Sequence, residues 1–166
     1  MIKRKFPKDL KFGTYLPKRC GMSYIKLSDC AASLERFMSE YFAESTTVTP
    51  SFNMSSDDAV YIDGEYTAYL FRNIMSFLGT ESRINISIRT SDNRFMIVFS
   101  KSDGAFQIND AEILQKLLDS ARLSGFEMTV AGNTLSFSAM LERGKLVISA
   151  LTRTEFFKIL ERVFFG

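Results

Sequence analysis

Two pairs of strands, each apolar at every second position, constrain this 166-residue chain more than any other feature. In residues 83–89, Ile84, Ile86 and Ile88 alternate with polar residues; a polar turn at 91–94 follows, and 95–99 brings the chain back. Further on, Phe126, Met128 and Val130 alternate, Ala131, Gly132 and Asn133 turn the chain, and Leu135, Phe137, Ala139 and Leu141 alternate in return. A period of two places the apolar side chains of a strand on one face, so each hairpin has one face to bury and one to leave in water. The stretches before the hairpins have helical spacing. In 65–78, Leu70, Ile74, Phe77 and Leu78 make one apolar face, Asp63 occupies the N-cap position, and Gly79 follows the end. In the next, Asn109 and Glu112 form a capping-box-like start, Ile113, Leu114, Leu117, Leu118 and Ala121 line one face, and Gly125 ends it.

The remaining elements fit the same scheme. A strand at 23–27 precedes a helix capped by Ser28 and running to about Glu44, with Leu34, Phe37, Met38 and Tyr41 on its apolar face. Residues 46–54 are β-rich but carry Pro50, which lacks the N–H a central strand needs, so an edge strand is expected. A short apolar strand occupies 59–62, and a last strand at 146–151 leads to a helix through Phe164, opened by the capping box of Thr152 and Glu155. Hairpins interleaved with helices exclude a doubly wound parallel sheet. The expected fold is a two-layer α/β sandwich: a mixed, mainly antiparallel sheet with the helices on one face.

Charge divides the chain unevenly. Residues 1–26 hold eight basic side chains against Asp9 alone, leaving 13 of the 21 basic and 18 of the 19 acidic residues in the rest, a balance of −5. Pro7, Gly13, Pro17 and Gly21 interrupt this segment, so residues 1–23 read as a basic arm or linker. Its charges are scattered and no ladder of aromatic residues accompanies them, so nucleic acid is not the expected partner. No apolar run reaches the roughly 20 residues that span a bilayer, and the basic start lacks the apolar segment of a secretory signal. Two cysteines, Cys20 and Cys30, make neither a disulfide framework nor a zinc site, and a cytoplasmic location is the default. The sequence has no histidine, which removes imidazole acid–base catalysis, imidazole metal sites and phosphohistidine chemistry on this chain.

With these elements in place, residues 24–141 resemble the ATP-binding domain of sensor histidine kinases, within the wider GHKL or Bergerat-fold superfamily. Residues 24–29 look like the family's entry into its first helix, and Ile62-Asp63 with 69–78 looks like the helix bearing its N-box. The strands around Ile84 and Phe95, then Ser102-Asp103-Gly104-Ala105-Phe106, look like the approach to its Asp-x-Gly-x-Gly loop. Residues 114–130 resemble the helix and strand after the ATP lid, and 133–141 its terminal strand. Residues 142–166 then form a strand–helix extension of the same domain.

The resemblance implies a nucleotide pocket at Asn73, Ser102, Asp103 and Gly104, and the residues there depart from the family pattern. Asn73 matches the first N-box asparagine; the second, which in the family coordinates magnesium, falls on Phe77, whose ring has no oxygen to offer a hard cation. The family aspartate that accepts from the adenine amino group falls on Ser102, or on Ser100 if the register slips by two. Gly104 keeps one glycine, Phe106 replaces the other, and Asp103 is one residue out of place. Only Gln107 and Ile108 separate Phe106 from the Asn109 cap, which leaves no length for a lid. The pocket thus reads as vestigial, with no catalytic residue, no metal ligand and no bound cofactor expected. The function implied is a degenerate histidine-kinase-like module working through protein contacts in bacterial-type signal transduction. Its partner would be a sensor kinase, a response regulator, or a second copy held through the C-terminal helix. The alternative is an ATP- and magnesium-binding kinase domain that phosphorylates a histidine on another chain.

Overall fold

Backbone hydrogen bonding and one-sided burial set the architecture in the computed structural model, which describes residues 17, 21–41, 46–51, 58–78, 84–101, 108, 110–142 and 151–165. The elements run β1 (Ser23–Lys26), α1 (Leu27–Tyr41), β2 (Thr46–Ser51), β3 (Ala59–Ile62), α2 (Gly64–Leu78), β4 (Ile84–Ser91), β5 (Arg94–Lys101), α3 (Ala111–Ser124), β6 (Glu127–Ala131), β7 (Thr134–Glu142) and α4 (Arg153–Phe165). Seven strands form one mixed sheet in the order β1-β3-β7-β5-β4-β2, with β6 also paired to β7. Every pairing is antiparallel except that of β2 with β4.

Both expected hairpins are present. Ser91 and Arg94 close the first over Asp92 and Asn93, which both have positive φ (50° and 62°). That is the turn whose twist matches two antiparallel strands, and Asp and Asn tolerate the conformation better than most residues. Ala131 and Thr134 close the second over Gly132 and Asn133, with Gly132 at φ 58°. In register, Ile86 faces Phe99, Ile88 faces Ile97, and Ile97 in turn faces Phe137, so the alternating residues form one buried face. The helices cover that face as a single layer with neighbours in the order α3, α2, α4, α1. The two-layer sandwich expected from the sequence is the observed fold. Within it, Cys30 on α1 is wholly buried, and burial, reinforced by the charge of Asp29, pushes its thiol far above the usual range.

The caps show how local sequence fixed the helix ends. Thr152 Oγ1 accepts from the Glu155 amide while the Glu155 carboxylate accepts from the Thr152 amide, a reciprocal capping box, each at 3.2 Å. Asp63 Oδ1 accepts from the Tyr66 amide at 3.0 Å. The cap of α3 is one residue later than expected: Asp110 accepts from the amides of Glu112 and Ile113. Similarly, α1 begins at Leu27, so Ser28 lies inside its first turn, and the helix is described to Tyr41. Gly125 ends α3 at φ 103°, where an added Cβ would stand 2.9 Å from the Tyr61 carbonyl oxygen. The cap expected at Gly79 lies outside the described residues, as do the strand expected at 146–151 except for Leu151, which is a bend, and residues 1–16 and 18–20 of the basic arm expected at 1–23.

The C-terminal helix corrects one expectation. Self-association through α4 required Phe156, Phe157, Phe164 and Phe165 to face water. The first three are buried between α1 and α2, and Phe165 packs on Phe37 and Tyr41. An amphipathic pattern demands that a face be covered without saying by what, and here the chain itself covers it. Polar ties fix the helix in place. Arg153 pairs with Asp29, the Tyr41 hydroxyl donates to Glu161 at 2.7 Å, and the Arg162 guanidinium forks onto Glu65, whose side chain is fully buried.

Removing Arg162 takes the forked guanidinium from a carboxylate that water does not reach. Arg162→Ala is expected to lower the unfolding free energy by about 2–4 kcal/mol, and the double variant Glu65→Gln/Arg162→Ala to recover part of that loss. Urea unfolding of both variants checks this.

Candidate functional site

The site implied by the resemblance begins on α2, the most deeply enclosed helix. Only Tyr66, Tyr69, Ser76 and Phe77 on it are better than buried, and they mark a single stripe pointing away from the sheet. Asn73 falls on that stripe by helical spacing, yet its exposure is 0%. Its Nδ2 donates to Ser120 Oγ of α3 at 3.4 Å, and the Ser120 hydroxyl donates in turn to the Lys116 carbonyl. The amide thus lies in the seam where α2 and α3 pack side by side. Phe77, one turn on, is half-buried against the apolar core.

Ser100 lies opposite Asn85 and Thr134 in the sheet, and alternates with the core residue Phe99. Its side chain therefore projects from the face opposite the helices, and it cannot share a pocket with Asn73. Ser102, Asp103, Gly104 and Phe106 lie outside the described residues. The connection that contains them, from the end of β5 at Lys101 to the start of α3 at Ala111, is residues 102–110 and no longer. Among the described residues no group of three or more Cys, Asp or Glu side chains could hold a metal ion. Asn73 and Phe77 do not fit the magnesium–triphosphate group the fold family implies: one has its amide enclosed between helices, and the other has only a ring to offer.

Three participants in this region were not singled out from the sequence. Ser120 and Ser124 sit with Leu117 and Ala121 on the face of α3 turned to α2, a stripe whose small residues allow the two helices to approach. At the other end of the seam, the Asp63 amide donates to the Ser124 carbonyl at 3.0 Å, tying the start of α2 to the end of α3. Glu65 is the third, through its pair with Arg162.

Asp63 is itself nearly enclosed, and burial holds its carboxyl above the usual carboxylate range. Amide hydrogen bonds from Tyr66, Glu65 and Gly21 oppose that shift, and the Glu65 charge adds to it. Since the folded value is the higher one, the folded chain holds this proton more tightly than the unfolded chain. The stability it contributes is complete below the ordinary carboxylate pKa and is lost as pH rises through the folded value. Asp63→Asn keeps a cap oxygen without the charge. Its stability relative to the parent is expected to improve from pH 4 to pH 7, as followed by denaturant unfolding across that range. For Asn73, a packing role predicts that Asn73→Ala costs about 1–3 kcal/mol of stability, measured by the same method.

No protein-family model matches the sequence, and no curated protein matches it. Solved structures do. The Acinetobacter baumannii histidine kinase AdeS aligns over 74% of this chain and 68% of its own, with TM-score 0.51 and 8% identity. The histidine kinase domain of the E. coli osmosensor EnvZ aligns over 84% of this chain and 97% of its own, with TM-score 0.46 and 15% identity. The catalytic domain of histidine kinase ThkA aligns over 72% and 97%, with TM-score 0.47 and 11% identity. At such identities a likeness speaks for architecture alone, and the AdeS alignment is the one that carries it. The chain has the fold of histidine-kinase ATPase domains.

Proposed function

We propose that this chain is a histidine-kinase-like module that works through protein contacts in two-component-type signalling and does not use ATP. One observation carries the reading: the amide of Asn73, which matches the first N-box asparagine, is enclosed in the α2–α3 seam and turned to Ser120. Phe77 at the position of the metal-binding asparagine supports it, because magnesium requires oxygen ligands in near-octahedral geometry. The short link from β5 to α3 supports it too, because the backbone N–H groups that cradle phosphates in a closing loop need chain length. These 166 residues hold no histidine, so any phosphorylated imidazole lies outside them. The partner is therefore a protein of such a pathway, a sensor kinase or a response regulator. Among the described residues no helix is long and apolar enough to cross a membrane.

Ligand linkage gives the test. A site with a Kd one-hundredth of the ATP concentration would raise the unfolding free energy by about 2.7 kcal/mol. In a domain of this size that corresponds to a rise of roughly 5–10 °C in Tm. With millimolar ATP and magnesium, melting is expected to shift by less than about 1 °C. A shift of several degrees, lost on Asn73→Ala, would instead favour the ATP-binding kinase domain acting on a histidine of another chain.

A further inference from the structure

The face of the sheet opposite the helices carries an apolar patch at one end. Tyr24 lies opposite Tyr61 in the register of β1 with β3, and their rings are 4.7 Å apart and tilted by 45°. Val60 pairs with Leu141 and both are core, so by alternation Tyr61 and Met140 project together from the open face. Met140 is 66% exposed and Tyr61 45%. Met22 adjoins them: a Cβ on Gly125 would stand 2.9 Å from the Tyr61 carbonyl oxygen and 3.0 Å from the Met22 methyl. Five large hydrophobic residues are exposed among the described ones, and three of them, Met22, Tyr61 and Met140, are here. Apolar side chains gathered in water mark a docking surface.

The segment that enters the fold at Gly21, beside this patch, supplies the charge that the patch lacks. Around the patch the folded residues are balanced, with Lys26, Arg89 and Arg94 set against Asp92, Glu127 and Glu142. Residues 1–20 hold seven basic side chains against Asp9 alone, and Ile2, Phe6, Leu10, Phe12 and Leu16 are spaced among them. Basic charge interleaved with short apolar stretches is the composition that adheres to an anionic membrane surface. Each Lys or Arg within a Debye length of such a surface strengthens binding by roughly fivefold, and apolar side chains then hold what charge has collected. The patch has the side chains for that second task. A tyrosine sets its ring in the apolar boundary and its hydroxyl among the head groups, and methionine adapts to irregular surroundings.

We infer that the patch of Met22, Tyr24, Tyr61 and Met140, with the basic segment leading into it, binds the surface of an anionic bilayer. The open sheet face turns to the lipid, and the chain lies on the membrane rather than across it. Single-stranded nucleic acid fits the same charge less well. Bases stack on free ring faces, whereas Tyr24 and Tyr61 are turned against one another and the two methionines have no ring. This orientation leaves the helix layer in water, so the inference neither needs nor excludes the protein contacts proposed above.

The test is flotation of the full chain with vesicles of phosphatidylcholine, alone or with about one-third phosphatidylserine. Binding to the mixed vesicles is expected to be at least about tenfold tighter than to the neutral ones, and to weaken as salt rises. The sequence has no tryptophan, so one introduced indole reports its own surroundings. In Met140→Trp, emission should shift to the blue on binding and be quenched by lipids brominated on their acyl chains. In Leu118→Trp, at an exposed position of the helix layer, neither should happen. Tyr61→Trp takes the place of Met140→Trp if that variant does not fold by circular dichroism. No preference for the anionic vesicles overturns the inference. Binding that leaves the indole of Met140→Trp unquenched overturns it too, because the basic segment then adheres without the folded face. Release from the mixed vesicles by oligothymidylate at equal phosphate concentration makes nucleic acid the preferred ligand and overturns it as well.

Discussion

Asp63 places its amide on the last turn of α3 and its carboxylate on the first turn of α2, and the arrangement of both helices follows from that junction. An N-cap satisfies a backbone donor that would otherwise be buried without a partner, which a helix enclosed on nearly every side cannot leave to water. The adjoining Gly125 admits no side chain beside the Tyr61 carbonyl, so β3 can run up against the end of α3 and the start of β6. With the two helices locked at that end, Asn73 and Ser120 meet farther along the same seam. The desolvation penalty at Asp63 is the cost of the arrangement.

What the sequence made legible was local. Ile84, Ile86 and Ile88 could only be one face of a strand, and Asp92-Asn93 and Gly132-Asn133 are turn residues by backbone preference. Thr152 with Glu155 is a cap wherever it occurs before an apolar run. What it left illegible was pairing at a distance. Nothing in Val48 or its neighbours marks them for a parallel partner in β4, and nothing in Phe156 distinguishes a face buried by α1 and α2 from one awaiting a second chain. Ahead of α3 stand two adjacent cap-formers, Asn109 and Asp110, and geometry rather than propensity selected the second. The candidate site divides the same way: Asn73 stands out as an amide beside an apolar face, but its partner Ser120 is 47 residues away.

A two-layer sandwich needs its central helix to be covered, and α2 obtains cover from α3 on one side and α4 on the other. The ion pair of Glu65 with Arg162 secures the second of these contacts at the start of α2.

The depth of Cys30 has a practical corollary. Only the thiolate attacks an alkylating reagent, and in the folded chain this sulfur is both shielded and held in its protonated form. Modification at that position must therefore wait for α1 to lift from the sheet. The rate at which such a reagent captures this sulfur is a chemical clock for that opening event.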